Sequence, residues 1–327
     1  MKLSLKDAKK IADSHSLGKV IDIKPINEGL SNYNFDLTSK EGDFIIRFSS
    51  FKSNKTQLDR LKLQTEAISF LNGRGFEYKI PVPIRNKKGS FISKIDDKYY
   101  WVYRKVAGEV YSDIKKMDIK QLAELIAKYH KIMRDFPLKK TTAGFYGESG
   151  LKEGLLEIKN KLNNEKVKDD IDLYMQKNLD IFEKAIKRVP TINYGKEVTI
   201  AHSDWYIGNV IYNKDKIIGL IDFDLFEITT YLKDIACAIQ LYCFTKDNKW
   251  DKKAAEEFIK EYEKFSPLEK FDKYHLKDLI IRESCYGVLV FYLKNKKVNE
   301  KKRLFMLNWF LSSIKNLMED IENKDYY

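Results

Sequence analysis

The sequence predicts an α+β fold made of two lobes, and three observations lead to this prediction. Apolar runs typical of β-strands are concentrated before residue 107 and again between residues 197 and 221. Apolar residues at helical spacing dominate the last third of the chain. The 327 residues, of which 43% are hydrophobic and 13% aromatic, are enough to bury a large core. No repeat, low-complexity tract or Pro/Gly-rich linker interrupts the chain.

The N-terminal part begins with two β-like runs that are joined through the segment Asn27 to Phe35. This segment contains one glycine, Gly29, and a single glycine between strands most often belongs to an ordinary hairpin turn. A third β-like run extends from Asp43 to Phe48 and carries one cation, Arg47. An arginine is also common at an exposed position of a strand, so these segments alone do not indicate a function.

A helix and a further strand complete the N-terminal part. Residues 57–71 have apolar side chains at helical spacing and therefore predict a helix, which carries Glu66. A glutamate on a helix is usually a solvated residue. Residues 99–106 form an apolar run with four aromatic side chains, which predicts a strand that ends before a turn at Gly108.

The rest of the chain is predicted to be mainly helical. Helix-spaced apolar residues define five segments, which are 120–133, 232–244, 253–265, 270–293 and 303–318. His130 lies near the end of the first of these, and because a histidine at a helix end is usually structural, we assign it no catalytic role. The charged segment from Asn163 to Asp170 predicts a loop between helical segments.

The exception within this helical part is a strand, a polar loop and a hairpin. An apolar run from Glu197 leads into the loop that begins at His202, and a second run follows at residues 210–212. Residues 213–215 read as a turn, and a third run at 216–221 ends at an Ile-Asp-Phe-Asp sequence. The loop and the end of the hairpin are therefore expected to present polar side chains from rigid elements.

Three of these polar side chains suit the transfer of a phosphoryl group. Such a reaction needs an oriented hydroxyl, neutralised phosphate charge and a bound magnesium ion. Asp204, on the loop, can accept a hydroxyl proton. Asn209 and Asp222 offer a neutral and a charged oxygen, and Mg²⁺ typically takes few protein ligands and keeps phosphates and water for the rest. The spacing is typical of kinase-type sites.

A loose pattern of His202, Asp204 and Asn209 is common by chance, but chance does not readily supply the hairpin and the Ile-Asp-Phe-Asp ending as well. With Asp234-Ile235-Ala236 about a dozen residues later, the chain resembles the superfamily of aminoglycoside phosphotransferases, choline kinases and type II homoserine kinases. The resemblance implies a protein-kinase-like fold, with a nucleotide-binding N-lobe at 1–103, a hinge at 104–108 and a C-lobe at 109–327. It also implies ATP and Mg²⁺ as cofactors.

The resemblance assigns roles to residues upstream of the loop. It places Gly29, Ser31 and Asn32 at the ATP phosphates, and it places Arg47 where such kinases usually carry a lysine that grips the phosphates. Arg keeps the charge but is not a like-for-like replacement for Lys. In the family, a helix glutamate pairs with this cation, which corresponds to Glu66 here. The hinge backbone contacts adenine, at Tyr103, Arg104, Lys105 and Val106.

The superfamily's acceptors are small alcohols, and the resemblance leaves the acceptor open. The segment 257–268 resembles the end of type II homoserine kinases, which favours amino acids or amino alcohols such as homoserine, hydroxylysine or choline. Aminoglycosides and sugars are the alternative acceptors, and a catalytically silent binding or coat protein is the alternative of another class. A cationic acceptor requires carboxylates and aromatic faces, for which the candidates are Trp205, Tyr206, Asp224, Glu227, Glu283 and Tyr286. His202 and Asp234 are expected to support the catalytic loop.

Composition excludes several other classes of protein. No segment is apolar enough to span a membrane, the N-terminus is too polar for a signal peptide, and the three cysteines lack metal spacing. We therefore expect a cytoplasmic protein, a monomer or a homodimer, without a membrane partner. The net charge is +12, but 48 acidic residues are interspersed with 60 basic ones and no nucleic-acid motif is present, so nucleic acid is not the expected partner. A P-loop is also absent.

Overall fold

A computed structural model describes residues 1, 3–26, 32–51, 53–138, 149–164, 169–189, 198–245, 247–294 and 298–322. The chain divides into two compact units: unit 1 comprises Met1–Tyr111 and Gly208–Asp224, and unit 2 comprises Ser112–Ile207 and Leu225–Tyr327. Unit 1 therefore includes the hairpin that the sequence-based division placed in the C-lobe. The division into an N-lobe, a hinge and a C-lobe stays a prediction.

Unit 1 is built on an antiparallel sheet with the strand order β1-β2-β3-β5-β4. Its helices are α1 (Leu5–Ser14) and α2 (Lys55–Gly73). The strands of this sheet are β1 (Val20–Ile26), β2 (Asn32–Ser39), β3 (Gly42–Ser49), β4 (Ser93–Ile95) and β5 (Lys98–Arg104). The predicted strands and the predicted helix 57–71 are all present, whereas α1 has no counterpart among the sequence-based predictions.

The core of unit 1 lies between α1 and one face of this sheet. Ala8 and Ile11 of α1 are fully buried in one cluster with Phe35, Phe48 and Tyr100, which come from three neighbouring strands. The alternation of side chains along each strand places these aromatic residues on the same face. Arg47, which follows the fully buried Ile46 along β3, lies on the opposite face, where the buried Ile45, Trp101 and Tyr103 surround it.

A second, smaller sheet holds the hairpin of unit 1. Its strands β6 (Glu109–Val110), β8 (Val210–Asn213) and β9 (Lys216–Leu220) are antiparallel, with β8 in the centre. Gly108 precedes β6 with a φ of +152°, and a Cβ atom there would lie 2.8 Å from the carbonyl oxygen of Tyr212. Only glycine combines that backbone conformation with so close an approach.

Unit 2 is mainly helical around a short two-stranded ladder. Strand β7 (Val198–Ala201) pairs antiparallel with β10 (Glu227–Thr230), so that Glu227 is opposite Ala201. The helices are α3 (Ile119–Met133), α4 (Ser149–Asn164), α5 (Asp170–Lys177), α6 (Leu179–Arg188), α7 (Leu232–Tyr242), α8 (Lys252–Glu263), α9 (Lys270–Leu289) and α10 (Glu300–Glu322). Together with unit 1, these elements confirm the α+β fold class.

The segment predicted as one helix over 270–293 changes its geometry near the end. Helix α9 is followed by a π-helical segment at Val290–Lys294. A π-helix is rare and leaves backbone carbonyls displaced from the α-helical ladder. The guanidinium of Arg303, on α10, donates hydrogen bonds to the carbonyl oxygens of Phe291 and Tyr292 at 3.0 and 2.9 Å, and so stabilises this irregular segment.

Two further expectations concern the whole chain. In the described residues, no helix is long and apolar enough to cross a membrane. Cys237, Cys243 and Cys285 are free thiols in unit 2. Burial raises the pKa of all three thiols above the ordinary value, so they are protonated near neutral pH.

Candidate active site

The predicted catalytic loop begins where β7 ends in unit 2, and α7 holds its backbone. The carboxylate of Asp234, in the first turn of α7, accepts the backbone N–H of His202 at 2.9 Å and that of Ser203 at 2.7 Å. Ser203 has a φ of +63°, a left-handed conformation that is uncommon for a residue with a side chain. The two hydrogen bonds to Asp234 hold this turn, which directly precedes Asp204.

Asp234 is in turn held by a histidine from another helix. His130 of α3 makes a 2.9 Å hydrogen bond with the Asp234 carboxylate and a 2.8 Å hydrogen bond with the Tyr262 hydroxyl, and both His130 and Asp234 are fully buried. Burial alone would raise the pKa of Asp234, but the hydrogen bond from His130, its charge and the Ser203 N–H together lower that pKa. Asp234 is therefore an ionised anchor of the loop.

Asp204 itself is partly exposed, and contacts of its backbone and of the next residue, Trp205, hold the loop. Its backbone N–H donates to Nδ1 of His202 at 3.3 Å. The next residue, Trp205, is fully buried, with its ring 4.9 Å from that of His202 and 6.0 Å from that of Tyr129. The prediction that Trp205 contacts the acceptor is wrong in this structure, because its indole is part of the core. Tyr206 is 40% exposed.

The two predicted magnesium ligands both belong to unit 1. The backbone N–H of Ile221 donates to the carbonyl oxygen of Asn209 at 2.8 Å, which places Asp222 next to the end of the Asn209 turn. Asp222 has a φ of +61°. No set of three His, Cys, Asp or Glu side chains in the described ranges could hold a metal ion. One carboxylate and one amide fit Mg²⁺ nevertheless, because it usually takes few protein ligands and completes its shell with phosphates and water.

Arg47 lies on the face of the unit 1 sheet that is turned away from the cluster of α1. It is 7% exposed, and its Nη2 contacts Oδ1 of Asp222 at 2.8 Å and also Oδ2 of Asp224, while its Nε donates to Oδ1 of Asp224 at 3.2 Å. Burial would lower the pKa of Arg47, but the charges of Asp224 and Asp222 raise it above the ordinary value. The strand cation is therefore a permanent charge held by two carboxylates.

Glu66 does not form the predicted pair with Arg47. It is exposed on α2, and among the described residues the carboxylates that contact Arg47 are Asp222 and Asp224. The face of α2 directed at this cluster carries Arg60 and Gln64, which lie one turn apart. Position 66 is two residues beyond Gln64 and so projects from a different side of the helix. Asp224 is engaged with Arg47 within unit 1, and its predicted role in binding the acceptor stays a prediction.

The predicted nucleotide loop is only partly described. Gly29 and Ser31 lie outside the described residues, and Asn32 is the first residue of β2. The Asn32 amide nitrogen contacts the carboxylate of Asp224, and its amide oxygen accepts the backbone N–H of Ser50 at 3.0 Å. The Asn32 side chain thus joins the Arg47 cluster, and its predicted contact with phosphate stays a prediction.

Of the predicted hinge residues, Tyr103 and Arg104 are the last two residues of β5, and Lys105 and Val106 follow it. Tyr103 is buried, and this burial raises the pKa of its hydroxyl to about 12 despite the nearby Arg47. Arg104 donates to the carbonyl oxygen of Glu41 at 3.0 Å, and the Lys105 amine pairs with Asp36. Val106 is half-buried. Since these side chains are directed at unit 1 itself, any contact with adenine falls to the backbone.

A second polar cluster lies beside the catalytic loop in unit 2. Glu227 contacts the Ser203 hydroxyl at 3.4 Å and forms an ion pair with Lys233, and the two charged side chains are only 8% and 17% exposed. The Lys233 amine lies 6.0 Å from the centre of the Tyr286 ring. Glu283, one turn before Tyr286 on α9, accepts a hydrogen bond from the thiol of Cys237 at 3.5 Å. We call Glu227, Lys233, Glu283 and Tyr286 the acceptor cluster.

Only part of this cluster was predicted from the sequence. Glu227, Glu283 and Tyr286 were expected near the acceptor, whereas Lys233 was not singled out. The available signal was that Lys233 directly precedes Asp234. Both residues lie in the first turn of α7, so a role for Asp234 beside the loop places the Lys233 cation near the loop as well. Arg60 and Gln64 were also not anticipated, although their spacing of four residues on a predicted helix places them on one face.

Comparisons with known proteins identify relatives of this chain. Residues 22–268 match the phosphotransferase enzyme family. A homoserine kinase of Parvibaculum lavamentivorans is 23% identical over 280 residues, which cover 85% of this chain and 81% of the relative. The solved structure of the spectinomycin phosphotransferase APH(9)-Ia, in complex with ADP and spectinomycin, has a TM-score of 0.69 at 14% identity and covers 98% of this chain and 100% of its own. A microcompartment-associated aminopropanol kinase has a TM-score of 0.65 at 13% identity, with coverages of 96% and 98%.

Proposed function

Because this chain belongs to the phosphotransferase enzyme family, we propose that it transfers the γ-phosphate of ATP to the hydroxyl of a small amino acid, with homoserine as the first candidate. The observation that carries the choice of acceptor is the buried Glu227–Lys233 pair beside Ser203. Glu227 of this pair contacts Ser203, which directly precedes Asp204, the proposed base. The homoserine kinases among the relatives support the same acceptor.

The proposed chemistry divides between the two units by residue. In unit 2, Asp204 accepts the proton of the acceptor hydroxyl, and the hydrogen bonds from the loop to Asp234 keep it in position. In unit 1, Asn209 and Asp222 hold Mg²⁺, and Arg47 binds the nucleotide phosphates. A bound Mg²⁺ neutralises the charge on the phosphates. The hinge backbone at 103–106 is the proposed partner of adenine.

The acceptor cluster favours a molecule that carries both charges. A buried ion pair is costly to separate unless each charge finds a new partner. A hydroxy amino acid supplies a carboxylate for Lys233 and an ammonium for Glu227. An amino alcohol supplies only the ammonium and leaves Lys233 unpaired, and a sugar supplies neither charge. The aromatic ring of Tyr286 adds a face for the ammonium group.

The second candidate is an amino alcohol kinase, and the structural similarity to an aminopropanol kinase supports it. In that case Glu227 and Tyr286 bind the acceptor ammonium, and Lys233 plays no part in recognition. A catalytically silent protein is the third candidate. The retention of Asp204, Asn209 and Asp222 argues against it, since loss of any one would remove the base or a metal ligand.

A coupled assay of ADP release tests the proposal directly. The purified chain with Mg-ATP is supplied with homoserine, hydroxylysine, aminopropanol, ethanolamine, choline, a hexose or spectinomycin. We expect the highest kcat/KM with a hydroxy amino acid, and a kcat lower by a factor of about 10² to 10⁴ in the Asp204→Asn variant. A higher kcat/KM with an amino alcohol would select the second candidate, and absence of both turnover and ATP binding would select the silent protein.

Two substitutions within the acceptor cluster sharpen this test. Lys233→Met removes the cation but keeps a long aliphatic side chain over Tyr286. We expect it to lower the ratio of kcat/KM for homoserine to that for aminopropanol by about tenfold or more, the loss expected for one charge-assisted hydrogen bond. Glu227→Gln should lower kcat/KM for both acceptors, because both carry an ammonium. An equal loss for all acceptors in Lys233→Met would show that the ion pair is structural.

A further inference from the structure

We propose that Asp224 is the residue that positions Arg47 for phosphate binding, and that it does so in place of a helix glutamate. Asp224 is the second aspartate of the Ile-Asp-Phe-Asp sequence and lies at the end of unit 1. Its role rests on the proposed function only in that Arg47 is taken to bind nucleotide. The contacts that assign it come from this chain alone.

The Asp224 carboxylate collects donors from three elements. Nε and Nη2 of Arg47, on β3, contact one carboxylate oxygen each. The amide of Asn32, at the start of β2, contacts Oδ2, and the amide of Gln64, on α2, donates to Oδ1 at 3.2 Å. With a side chain 16% exposed, Asp224 is largely removed from solvent. Its orientation is therefore fixed from several directions.

This geometry gives a reason for the arginine at position 47. The side of a guanidinium presents Nε and one Nη as two parallel donors, and these match the two oxygens of a carboxylate. A lysine would offer one nitrogen and could not define a plane. The bidentate contact with Asp224 fixes the guanidinium plane, and Nη1 makes a long contact with the Asn34 amide oxygen at 3.5 Å.

Helix α2 takes part through donors instead of a carboxylate. Arg60 donates to the backbone carbonyl oxygen of Asp224 at 2.5 Å, and Gln64 donates to its side chain. Gln64 is only 3% exposed, and a glutamate at this position would repel Asp224. The structure thus differs from the pair expected for Arg47 and Glu66. Asp224 supplies a carboxylate that contacts Arg47, and helix α2 supplies hydrogen-bond donors to Asp224 from Arg60 and Gln64.

Asp224 differs from Asp222, the other carboxylate on Arg47, because Asp222 is a proposed metal ligand. A carboxylate that binds a cation has less negative charge to offer a guanidinium. Arg47 is buried and needs a carboxylate partner whether or not the metal is present. Asp224 meets that need, since its oxygens are directed at Arg47, Asn32 and Gln64.

The test compares Asp224→Asn with Glu66→Gln, since both replace a carboxylate by the corresponding amide. We expect Asp224→Asn to raise the KM for Mg-ATP by about tenfold or more, with a smaller change in kcat. Glu66→Gln, on the exposed side of α2, should leave KM within about twofold of the wild type. Equilibrium binding of a fluorescent ATP analogue, with and without Mg²⁺, should show the same order of affinities. Asp224→Glu should restore part of the affinity.

A double-mutant cycle with Arg47→Lys separates positioning from general damage to the fold. If Asp224 acts through Arg47, Asp224→Asn should weaken nucleotide binding less in the Arg47→Lys background than in the wild type. Gln64→Leu, which keeps the ion pair, provides a second probe and should raise KM in the same direction by about two- to threefold. A larger effect of Glu66→Gln than of Asp224→Asn, or additivity in the cycle, would overturn the proposal. Nucleotide binding without turnover of any acceptor would contradict the proposed function and leave this inference standing.

Discussion

Ser203 and Asp222 share a left-handed backbone at the two places where chemistry is expected. Their φ values are +63° and +61°, and neither residue is glycine or asparagine. Such conformations cost about 1–3 kcal/mol and persist only where the surroundings enforce them. At Ser203 the enforcing groups are the Asp234 carboxylate and Glu227. At Asp222 the side chain is held by Arg47. The left-handed backbone changes the direction of the chain just before Asp204 and just before Phe223.

At the residue scale, substitution of the proposed base, Asp204, and substitution of the proposed metal ligand, Asp222, should change different kinetic quantities. Asp204→Asn removes a proton acceptor and should lower kcat by a factor of about 10² to 10⁴. Since Asn209 and Asp222 are unchanged, the affinity for Mg-ATP should stay close to that of the wild type. Asp222→Ala should instead weaken Mg-dependent nucleotide binding. Calorimetric titration with Mg-ATP and single-turnover kinetics measure the two effects, and near-normal turnover in Asp204→Asn would contradict its assignment as the base.

The buried anchor Asp234 makes stability depend on pH in a defined direction. Its pKa is lowered in the folded state from the ordinary 3.8, so its contribution is fully present above pH 3.8 and is lost as pH falls towards the folded pKa. Asp234→Asn should lower the free energy of unfolding by about 1–3 kcal/mol near neutral pH. The gap to the wild type should narrow below pH 3.8.

Urea unfolding between neutral pH and about pH 3 measures this gap. Asp59→Asn is a matched control, because Asp59 is exposed on α2 and should change stability by less than about 0.5 kcal/mol at every pH. A constant difference between the wild type and Asp234→Asn across the range would show that the pKa of the Asp234 carboxyl is the same in the folded and the unfolded protein, contrary to the lowered pKa.

Among individual residues, the sequence predicted those whose role follows from order along the chain. Asp234 and His202 are such cases, and the structure joins them directly. The sequence could not predict partners that depend on which way a helix is turned. Glu66 has the expected spacing from Arg47, yet Gln64 faces the cation's partner instead. Trp205 was misplaced for a similar reason, because no spacing rule distinguishes a buried indole from one beside a ligand.

At the element scale, the contact between α9 and α10 depends on a glycine. A Cβ atom at Gly287 would lie 2.4 to 2.5 Å from three ring atoms of Phe310, which is only 7% exposed. We expect Gly287→Ala to lower the free energy of unfolding by about 1–3 kcal/mol through overpacking. Gly73→Ala, at the end of α2, adds a methyl group with nothing within 4 Å and should be neutral or stabilising by up to about 1 kcal/mol. Equal destabilisation by the two changes, measured by urea unfolding, would contradict the packing argument.

Elements with a regular apolar period were predictable, and irregular ones were not. Helix α3 was expected at 120–133 and is found at Ile119–Met133. The predicted helix 270–293 gave no sign of its π-helical end, because the change depends on Arg303 from the next helix. Helix α1 was not predicted, although Ser4 caps it by accepting the Asp7 N–H. A cap and a short apolar stripe on a helix of ten residues are weak signals beside the lysines that surround them.

At the scale of the whole molecule, the excess of positive charge raises the question of a polyanionic partner. The net charge is +12, yet basic residues are interspersed with acidic ones, and many pair with them at the surface, as in Lys252–Glu256 and Lys315–Glu319. Such exposed charges are screened within about 10 Å at 0.1 M salt. Arg47, the proposed phosphate ligand, is instead 7% exposed and held by two carboxylates. Binding of nucleic acid and binding of ATP should therefore respond differently to salt.

The last prediction follows from this difference. Duplex DNA should bind only weakly, and raising the salt from about 0.05 to 0.2 M should abolish its retention, since each phosphate contact releases counterions. The KM for Mg-ATP should change by less than about threefold over the same range, because a buried cation is screened much less than surface lysines. Fluorescence anisotropy with labelled DNA and initial-rate kinetics measure the two quantities on the same preparation. Tight DNA binding that survives 0.2 M salt would mean that the charge forms a continuous nucleic-acid surface, and a parallel loss of ATP affinity would mean that surface lysines, and not Arg47, hold the phosphates.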